Sequence, residues 1–202
     1  MAFIEVISPS KAEAKLAKLY KMIQSPEGQV DNVLQVHSLR PHTLQGHMAI
    51  YKAVLHHSSN QLPEWYLEAI GVLVSKLNEC SYCAGHHAAG MERLLKLEGL
   101  DTSLYLMALE LDEPGEPFTP AQQSGLRYAR KLTQSPGQIV QSDITAMRDA
   151  GFDDGDILEI NQVAAYFAYA NRTVSGLGVN TDHEVIGQSP ATGDDNSGWS
   201  HG

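Results

Sequence analysis

The sequence of 202 residues predicts an all-α fold in which several helices form a multi-helix bundle. Apolar residues recur at spacings of three and four along most of the chain, a pattern typical of helices with one buried face. Prolines and glycines interrupt this pattern where helices are expected to begin and end. A hydrophobic content of 43% at this length is enough for one domain with a buried core.

The first half of the chain contains a series of predicted helices. Ser8-Pro9-Ser10 opens the first of them. Pro63 lies in the first turn of a later helix, in which Leu67 and Ile70 share an inward face. The helices are expected over about residues 8–24, 31–40, 42–57, 62–77, 80–98 and 102–111.

The second half of the chain repeats this pattern after an acidic, proline-containing linker at residues 112–117. Phe118-Thr119-Pro120 resembles Gln61-Leu62-Pro63 of the first half. Further helices are predicted over about residues 120–134, 141–150 and 154–174. We interpret residues 1–179 as a single helical domain with a degenerate internal duplication. Its motif-bearing repeat covers about residues 30–111 and its second repeat about residues 118–179.

Residues 180–202 form a polar C-terminal tail. Taken alone, this composition is typical of a disordered segment. Trp199 is an unusual residue to leave in solvent, however. The tail is therefore also a candidate to dock on its own subunit or on a neighbouring one.

Composition and charge exclude several classes of function. The chain has 14 Lys and Arg against 24 Asp and Glu, a net charge of -10, whereas nucleic-acid binding needs clustered positive charge. No stretch approaches the roughly 20 apolar residues of a membrane span, and the N-terminus does not look like a secretory signal. We therefore expect a cytoplasmic protein with no membrane or nucleic-acid partner. In a reducing compartment, closely spaced cysteines are typically catalytic or metal-binding.

The two cysteines of the chain, Cys80 and Cys83, are followed by His87 one helical turn later. At about 100° per residue, the three side chains fall within about 60° of arc on one helix face. Glu68 lies on the preceding helix, from which it can fold back beside them. The first turn of a helix also favours a thiolate, because its N–H groups are unpaired and its dipole is positive. This arrangement predicts thiol chemistry with a carboxylate and an imidazole as a proton path.

The same residues have other interpretations. Free cysteines are among the most buried residue types, so the pair could serve packing alone. Two cysteines, a histidine and a carboxylate could bind zinc, but the usual second Cys/His pair is missing. We therefore predict neither a metal nor a cofactor. Tyr82 and His86 point away from the cysteine face and are candidates to line the pocket, although Tyr82 also suits a packing role.

The motif Glu68, Cys80-Ser81-Tyr82-Cys83 and His87 resembles the signature of the alkylhydroperoxidase D-like branch of the carboxymuconolactone decarboxylase superfamily. Residues 74–87 are similar to its peroxidase-related subgroup, as is Ser38-Leu39-Arg40-Pro41. The resemblance covers roughly residues 30–180. It implies an all-helical fold, oligomers of intertwined protomers and thiol-dependent reduction of peroxides. It also implies that Cys83 attacks the peroxide, that Cys80 resolves the product, and that His87 and Glu68 form the proton relay.

The predicted function is therefore that of a dithiol peroxidase, an oxidoreductase acting on alkyl hydroperoxides. Its partners would be the hydroperoxide and an external dithiol or thioredoxin-like reductant. The amphipathic helices and an apolar final helix also predict a homo-oligomer. Three alternatives stay open at this point: a general thiol–disulfide oxidoreductase, a lactone decarboxylase-like enzyme, and a binding module that senses redox state. For the order of the two thiols we choose Cys83 as the nucleophile, because His87 lies one turn further along the same face.

Overall fold

The computed structural model describes residues 2–25, 28–111 and 113–187. Within these ranges the chain forms helices and no β-strand, so the predicted all-α fold is confirmed. The α-helices are α1 (Ala14–Ile23), α2 (Asn32–Gln35), α3 (Pro41–Leu55), α4 (Glu64–Leu77), α5 (Ser81–Leu97), α6 (Thr102–Ala108), α7 (Pro120–Gln134), α8 (Gln141–Asp149) and α9 (Asp154–Leu177). Short 3-10 helices occupy Pro9–Lys11 and Pro136–Gln138.

Helix α4 lies at the centre of the bundle. It packs against α3, α5, α7 and α9, and every residue from Trp65 to Ser75 is buried. A helix that is buried on all sides needs apolar side chains around its whole circumference, and α4 has them with few exceptions. One exception is Glu68, which is fully buried in the middle of this helix. A lone buried carboxylate in a central helix is costly, so its presence points to chemistry.

The turn between α4 and α5 determines where the cysteines lie. Glu79 adopts a left-handed conformation with φ 55°. Its N–H donates to the carbonyl of Lys76 (3.0 Å), and the N–H of Cys80 donates to the carbonyl of Ser75 (2.8 Å). This is the Schellman arrangement that closes a helix. Cys80 is at the same time the N-cap of α5, so the end of one helix and the start of the next meet at this residue.

The N-terminal boundary differs from the prediction. Helix α1 begins at Ala14, whereas the sequence predicted a helix opening at Ser8-Pro9-Ser10. Residues 12 and 13 are extended, which separates the short 3-10 helix from α1. Long-range contacts hold the preceding segment in place. The Tyr20 hydroxyl donates to the carbonyl of Ile7 (2.9 Å), and the Ser38 hydroxyl accepts from the N–H of Ile7 (2.9 Å). Helical periodicity in the sequence does not reveal these contacts, because they join residues 13 and 31 positions apart.

The C-terminal tail also differs in part from its composition-based prediction. Residues 180–187 contact α2 and α5. Asn32 donates from its side chain to the carbonyl of Asn180 (2.9 Å), and Arg93 donates to the carbonyl of Gly187 (2.6 Å). Trp199, on which the docking hypothesis depended, lies outside the described residues.

Two further predictions stay open. The internal duplication stays a hypothesis, although both α4 and α7 follow a proline-containing start and the two helices pack together. Self-association also stays a prediction. Four large apolar side chains around the end of α5 and α6 are more than half exposed: Leu97, Leu104, Met107 and Leu111. In the described part of the chain, no helix has both the length and the apolar character needed to cross a membrane.

Candidate active site

The two thiols lie at the start of α5 in a buried environment. Cys80 is 2% exposed and Cys83 is 4% exposed, and both are free. Next to them, polar side chains of α9 and α4 form a buried network. In this network Asn171 donates to the hydroxyl of Ser75 (3.0 Å) and accepts from the side chain of Asn78 (2.9 Å). The thiols are therefore shielded from bulk solvent but surrounded by hydrogen-bonding groups.

The two thiols influence each other's ionisation. A hydrogen bond with the Cys83 side chain lowers the pKa of Cys80 to about 6, while burial acts in the opposite direction. Side chains of Ser175 and Asn171 on α9 lower the same pKa further. The hydrogen bond with Cys80 and then burial raise the pKa of Cys83 above its ordinary value. At neutral pH the pair therefore holds one proton and one negative charge, which is the state needed for nucleophilic attack.

A carboxylate–imidazole pair lies one turn further along α5. The Oε2 atom of Glu68 is 2.5 Å from Nδ1 of His87. Glu68 is fully buried and its Oε1 atom has no hydrogen-bond partner among the described residues, whereas the His87 side chain is 15% exposed. Because the carboxylate occupies Nδ1, the Nε2 atom of His87 is the one left to exchange a proton. The edge-on ring of Phe167 packs against the imidazole at 4.5 Å.

The structure thus brings Glu68 and His87 into direct contact and places Cys83 one helical turn before His87. The sequence analysis predicted Cys83 and His87 on one helix face and Glu68 folded back beside them from the preceding helix. It did not identify Tyr166, whose hydroxyl lies 3.4 Å from Nε2 of His47 and whose ring faces Tyr51. Burial raises the pKa of Tyr166, and the charges of Tyr51 and Cys83 raise it further. Tyr166 therefore stays a protonated phenol close to the thiol pair.

The surroundings of the thiols extend beyond the motif-bearing repeat. Asn171 and Ser175 of α9 hydrogen-bond to Cys80, so the second half of the chain contributes polar groups. A signal for Asn171 exists in the sequence. It follows Ile160, Ala164 and Phe167 at spacings of four, three and four, and therefore occupies a core position with a polar side chain.

Tyr82 and His86 form a second group of side chains beside the thiols, and Tyr82 packs in the same buried cluster as Cys80 and Cys83. Their rings stack with centroids 4.5 Å apart, and the Tyr82 hydroxyl donates to Oε1 of Glu184 (2.6 Å). The same oxygen lies 3.3 Å from Nε2 of His86. Both residues thus share Glu184 of the C-terminal tail as a neighbour. Nothing in the sequence distinguished Glu184 from the other acidic residues of the tail.

The fold can be compared with known proteins. No protein-family model matches the chain, and no curated protein matches it. Among solved structures, the AhpD core of a peroxidase-related protein from Ralstonia eutropha JMP134 superposes with a TM-score of 0.73 at 23% identity. The match covers 89% of this chain and 91% of that one. The debrominase Bmp8 superposes with a TM-score of 0.67 at 16% identity, covering 86% of this chain and 88% of that chain. These two likenesses show a shared fold.

An uncharacterized peroxidase-related protein from Silicibacter sp. TM1040 is more similar in sequence. It is 28% identical to this chain, with a TM-score of 0.70, and the match covers 87% of this chain and 86% of that one. The fold, its extent and the peroxidase-related neighbours agree with the resemblance that the cysteine motif indicated. These neighbours support the resemblance to the alkylhydroperoxidase D-like superfamily and to its peroxidase-related subgroup.

Proposed function

We propose that this protein reduces small hydroperoxides through a reversible disulfide between Cys80 and Cys83, with Glu68 and His87 as the proton relay. The observation that carries the proposal is the buried Glu68 carboxylate, 2.5 Å from His87 and one helical turn from the thiol pair. A fold needs no buried carboxylate at the centre of its main helix. A thiol enzyme needs one to hold the imidazole in a fixed tautomer and to stabilise its charged form.

The proposed reaction balances in atoms and electrons with the two thiols, His87, the hydroperoxide and an external dithiol. A thiolate attacks the terminal oxygen of the hydroperoxide, the O–O bond breaks, and the departing alkoxide takes a proton from His87 to leave as an alcohol. The attacking sulfur is now a sulfenic acid. The second thiol attacks this sulfur, a disulfide forms, and water leaves. An external dithiol then reduces the disulfide by exchange and is itself oxidised.

The burial of the thiols favours a small oxidant. With 2% and 4% of their surfaces exposed, Cys80 and Cys83 are accessible to a hydroperoxide more readily than to the disulfide of another protein. This is the reason to place peroxide reduction ahead of general thiol–disulfide exchange. A lactone decarboxylase would have no use for the shared proton of the two sulfurs.

The order of attack follows from the position of the relay. In the resting state the charge lies on Cys80, which by itself favours Cys80 as the nucleophile. Because the two sulfurs share one proton in a hydrogen bond, however, the charge can move to Cys83 without exchange with solvent. His87 is one turn from Cys83 on the same helix, so the alkoxide that departs when Cys83 attacks is next to its proton donor. We therefore keep Cys83 as the attacking thiol and Cys80 as the resolving one.

Stopped-flow oxidation of the reduced protein by alkyl hydroperoxides tests the proposal. The wild-type protein should lose two thiols per chain in a fast reaction and form an intramolecular disulfide, identified by mass spectrometry after alkylation. Cys83→Ser should lose the fast reaction, whereas Cys80→Ser should react once and leave a trappable sulfenic acid. Slow reaction with every hydroperoxide, together with rapid exchange with small disulfides, would refute the proposed function in favour of an oxidoreductase.

The two cysteine variants also test the order of attack separately. If Cys83→Ser forms the sulfenic acid and Cys80→Ser does not, the order is reversed, and the resting charge on Cys80 decides the chemistry. His42→Ala is a suitable control, because His42 is exposed on α3 and outside the site. Its peroxide reaction should match the wild-type protein.

A further inference from the structure

A second group of metal-ligating side chains lies beside the thiol site and takes no part in the proposed reaction. It consists of Asp31 before α2, His86 on α5 and Glu184 in the C-terminal tail. One imidazole nitrogen and two carboxylate oxygens, one from each residue, all lie within 4.8 Å of one another. Segments distant in sequence therefore bring three potential ligands to one point.

The hydrogen bonding of the cluster is incomplete. The Glu184 side chain is only 2% exposed, and its Oε2 atom has no hydrogen-bond partner among the described residues. The Nε2 atom of His86 is likewise buried without a hydrogen bond there, although it faces the Glu184 carboxylate at 3.3 Å. A buried carboxylate oxygen without a hydrogen-bond partner is unfavourable, because it has lost its hydration. A group bound between these atoms would remove that cost.

The two carboxylates make the cluster negatively charged, as a binding site for a cation should be. Within the described ranges, no Lys or Arg forms an ion pair with Asp31 or Glu184. Burial raises the pKa of Asp31, and the nearby charge of Glu184 raises it further, while His86 acts in the opposite direction. Two carboxylates thus lie close together beside one imidazole, and a proton or a metal ion would relieve their repulsion.

From these observations we propose that Asp31, His86 and Glu184 form a binding site for a divalent metal ion. Ligands about 2.0–2.2 Å from a metal lie at most about 4.4 Å apart, so the cluster needs to close only slightly. An imidazole with two carboxylates suits Zn²⁺, Mn²⁺ or Fe²⁺ better than Mg²⁺ or Ca²⁺, which prefer oxygen ligands alone. Water would complete the coordination.

The surroundings of Glu184 resemble the supporting shell of a metal ligand. Its Oε1 atom accepts from the Tyr82 hydroxyl (2.6 Å) and from the N–H of Asn32 (3.2 Å). The Tyr82 ring in turn stacks on His86, so one residue orients two ligands. Such contacts fix the geometry of ligands and leave the remaining carboxylate oxygen for the ion.

The site has a consequence for the tail. Glu184 is the ligand that comes from residues 180–187, whereas His86 belongs to α5 and Asp31 precedes α2. A bound ion would therefore fasten the tail across the start of α5, next to the thiol pair. Removal of the ion should loosen this segment while the bundle stays folded.

Titration of the full-length protein with Mn²⁺ tests the proposal, with free Mn²⁺ measured by its EPR signal in solution. Mn²⁺ is chosen because thiolates bind it weakly, so the result does not depend on the proposed peroxidase chemistry. We expect about one ion per chain. Glu184→Gln and His86→Ala should each weaken binding by at least about 10-fold. His183→Ala, a change to the exposed neighbour in the same segment, should leave the affinity unchanged.

Further measurements keep the proposal refutable. Replacement of both cysteines by serine should not alter Mn²⁺ binding, and hydrogen exchange should show slower exchange of residues 180–187 when Mn²⁺ is added. No binding at millimolar Mn²⁺ would overturn the proposal. So would binding that survives both Glu184→Gln and His86→Ala, or binding that is lost in the double serine variant.

Discussion

Replacement of Glu68 by Gln separates the chemical role of the relay from its role in the fold. Gln keeps the shape of the side chain and can accept the hydrogen bond from Nδ1 of His87, but it lacks the negative charge. A hydrogen bond to a charged group is worth about 1.5–3 kcal/mol, against about 0.5–1.5 kcal/mol for a neutral one. The difference, about 1–2 kcal/mol in the transition state, corresponds to a peroxide reaction about 5- to 30-fold slower.

The stability of Glu68→Gln should change much less than its activity. In the wild-type protein the Oε1 atom of Glu68 is buried and unpaired among the described residues, and in the variant a buried amide nitrogen takes its place. The free-energy costs of burying an unpaired carboxylate oxygen and an unpaired amide nitrogen are similar, so the free energy of unfolding should change by about 1 kcal/mol or less. For a chain of this size, that is a shift in Tm of about 2–4 °C. Stopped-flow kinetics and thermal unfolding of the same preparations measure both quantities.

Two results would refute this reasoning. An unchanged rate with hydroperoxide would show that the carboxylate takes no part in the chemistry. A fall in Tm of more than about 10 °C would show that Glu68 serves the fold, because no small difference between two unpaired atoms produces such a loss.

Other predictions follow from the same structure. The rate of alkylation of the reduced protein by iodoacetamide should rise with pH to a plateau, with a midpoint near the pKa of about 6 at Cys80 rather than near the ordinary value. Gly71→Ala should lower the free energy of unfolding by about 1–3 kcal/mol, because its Cβ would lie 2.3 Å from the buried ring of Phe167. Gly46→Ala, on a helix with open space around it, should stabilise the protein by about 0.5–1 kcal/mol and serves as the matched control. Sedimentation at micromolar concentration should show an oligomer, and a monomer would contradict the predicted self-association.

The parts of the structure that the sequence predicted are those determined by local pattern. Residues 120–134 were predicted as a helix and form α7 with the same bounds, because a proline start and a regular apolar repeat leave little choice. The contact between Glu68 and His87 could be predicted from the sequence for the same reason. Both residues lie on consecutive helices joined by a short turn, so helical register alone brings them together.

The parts that the sequence did not predict depend on contacts between distant residues. Tyr82 and Glu184 are 102 positions apart, and the tail composition alone predicted disorder there. Asn171 is an intermediate case. Its polar side chain interrupts an apolar stripe, which marks the position, but only the packing of α9 on α4 shows that it faces Ser75 and Cys80.

The α4–α5 turn explains how the fold and the chemistry are joined in this protein. Glu79 accepts a left-handed conformation that glycine usually adopts, and the turn it makes ends α4 and starts α5 within three residues. Cys80 therefore has its N–H bonded to α4, and its side chain lies at the positive end of α5. The carboxylate of the proposed relay belongs to α4, while the thiols and the imidazole lie at the start of α5 and in its N-terminal half. The hairpin of α4 and α5 thus carries all four residues of the proposed site, and the rest of the bundle buries them and supplies polar neighbours from α9.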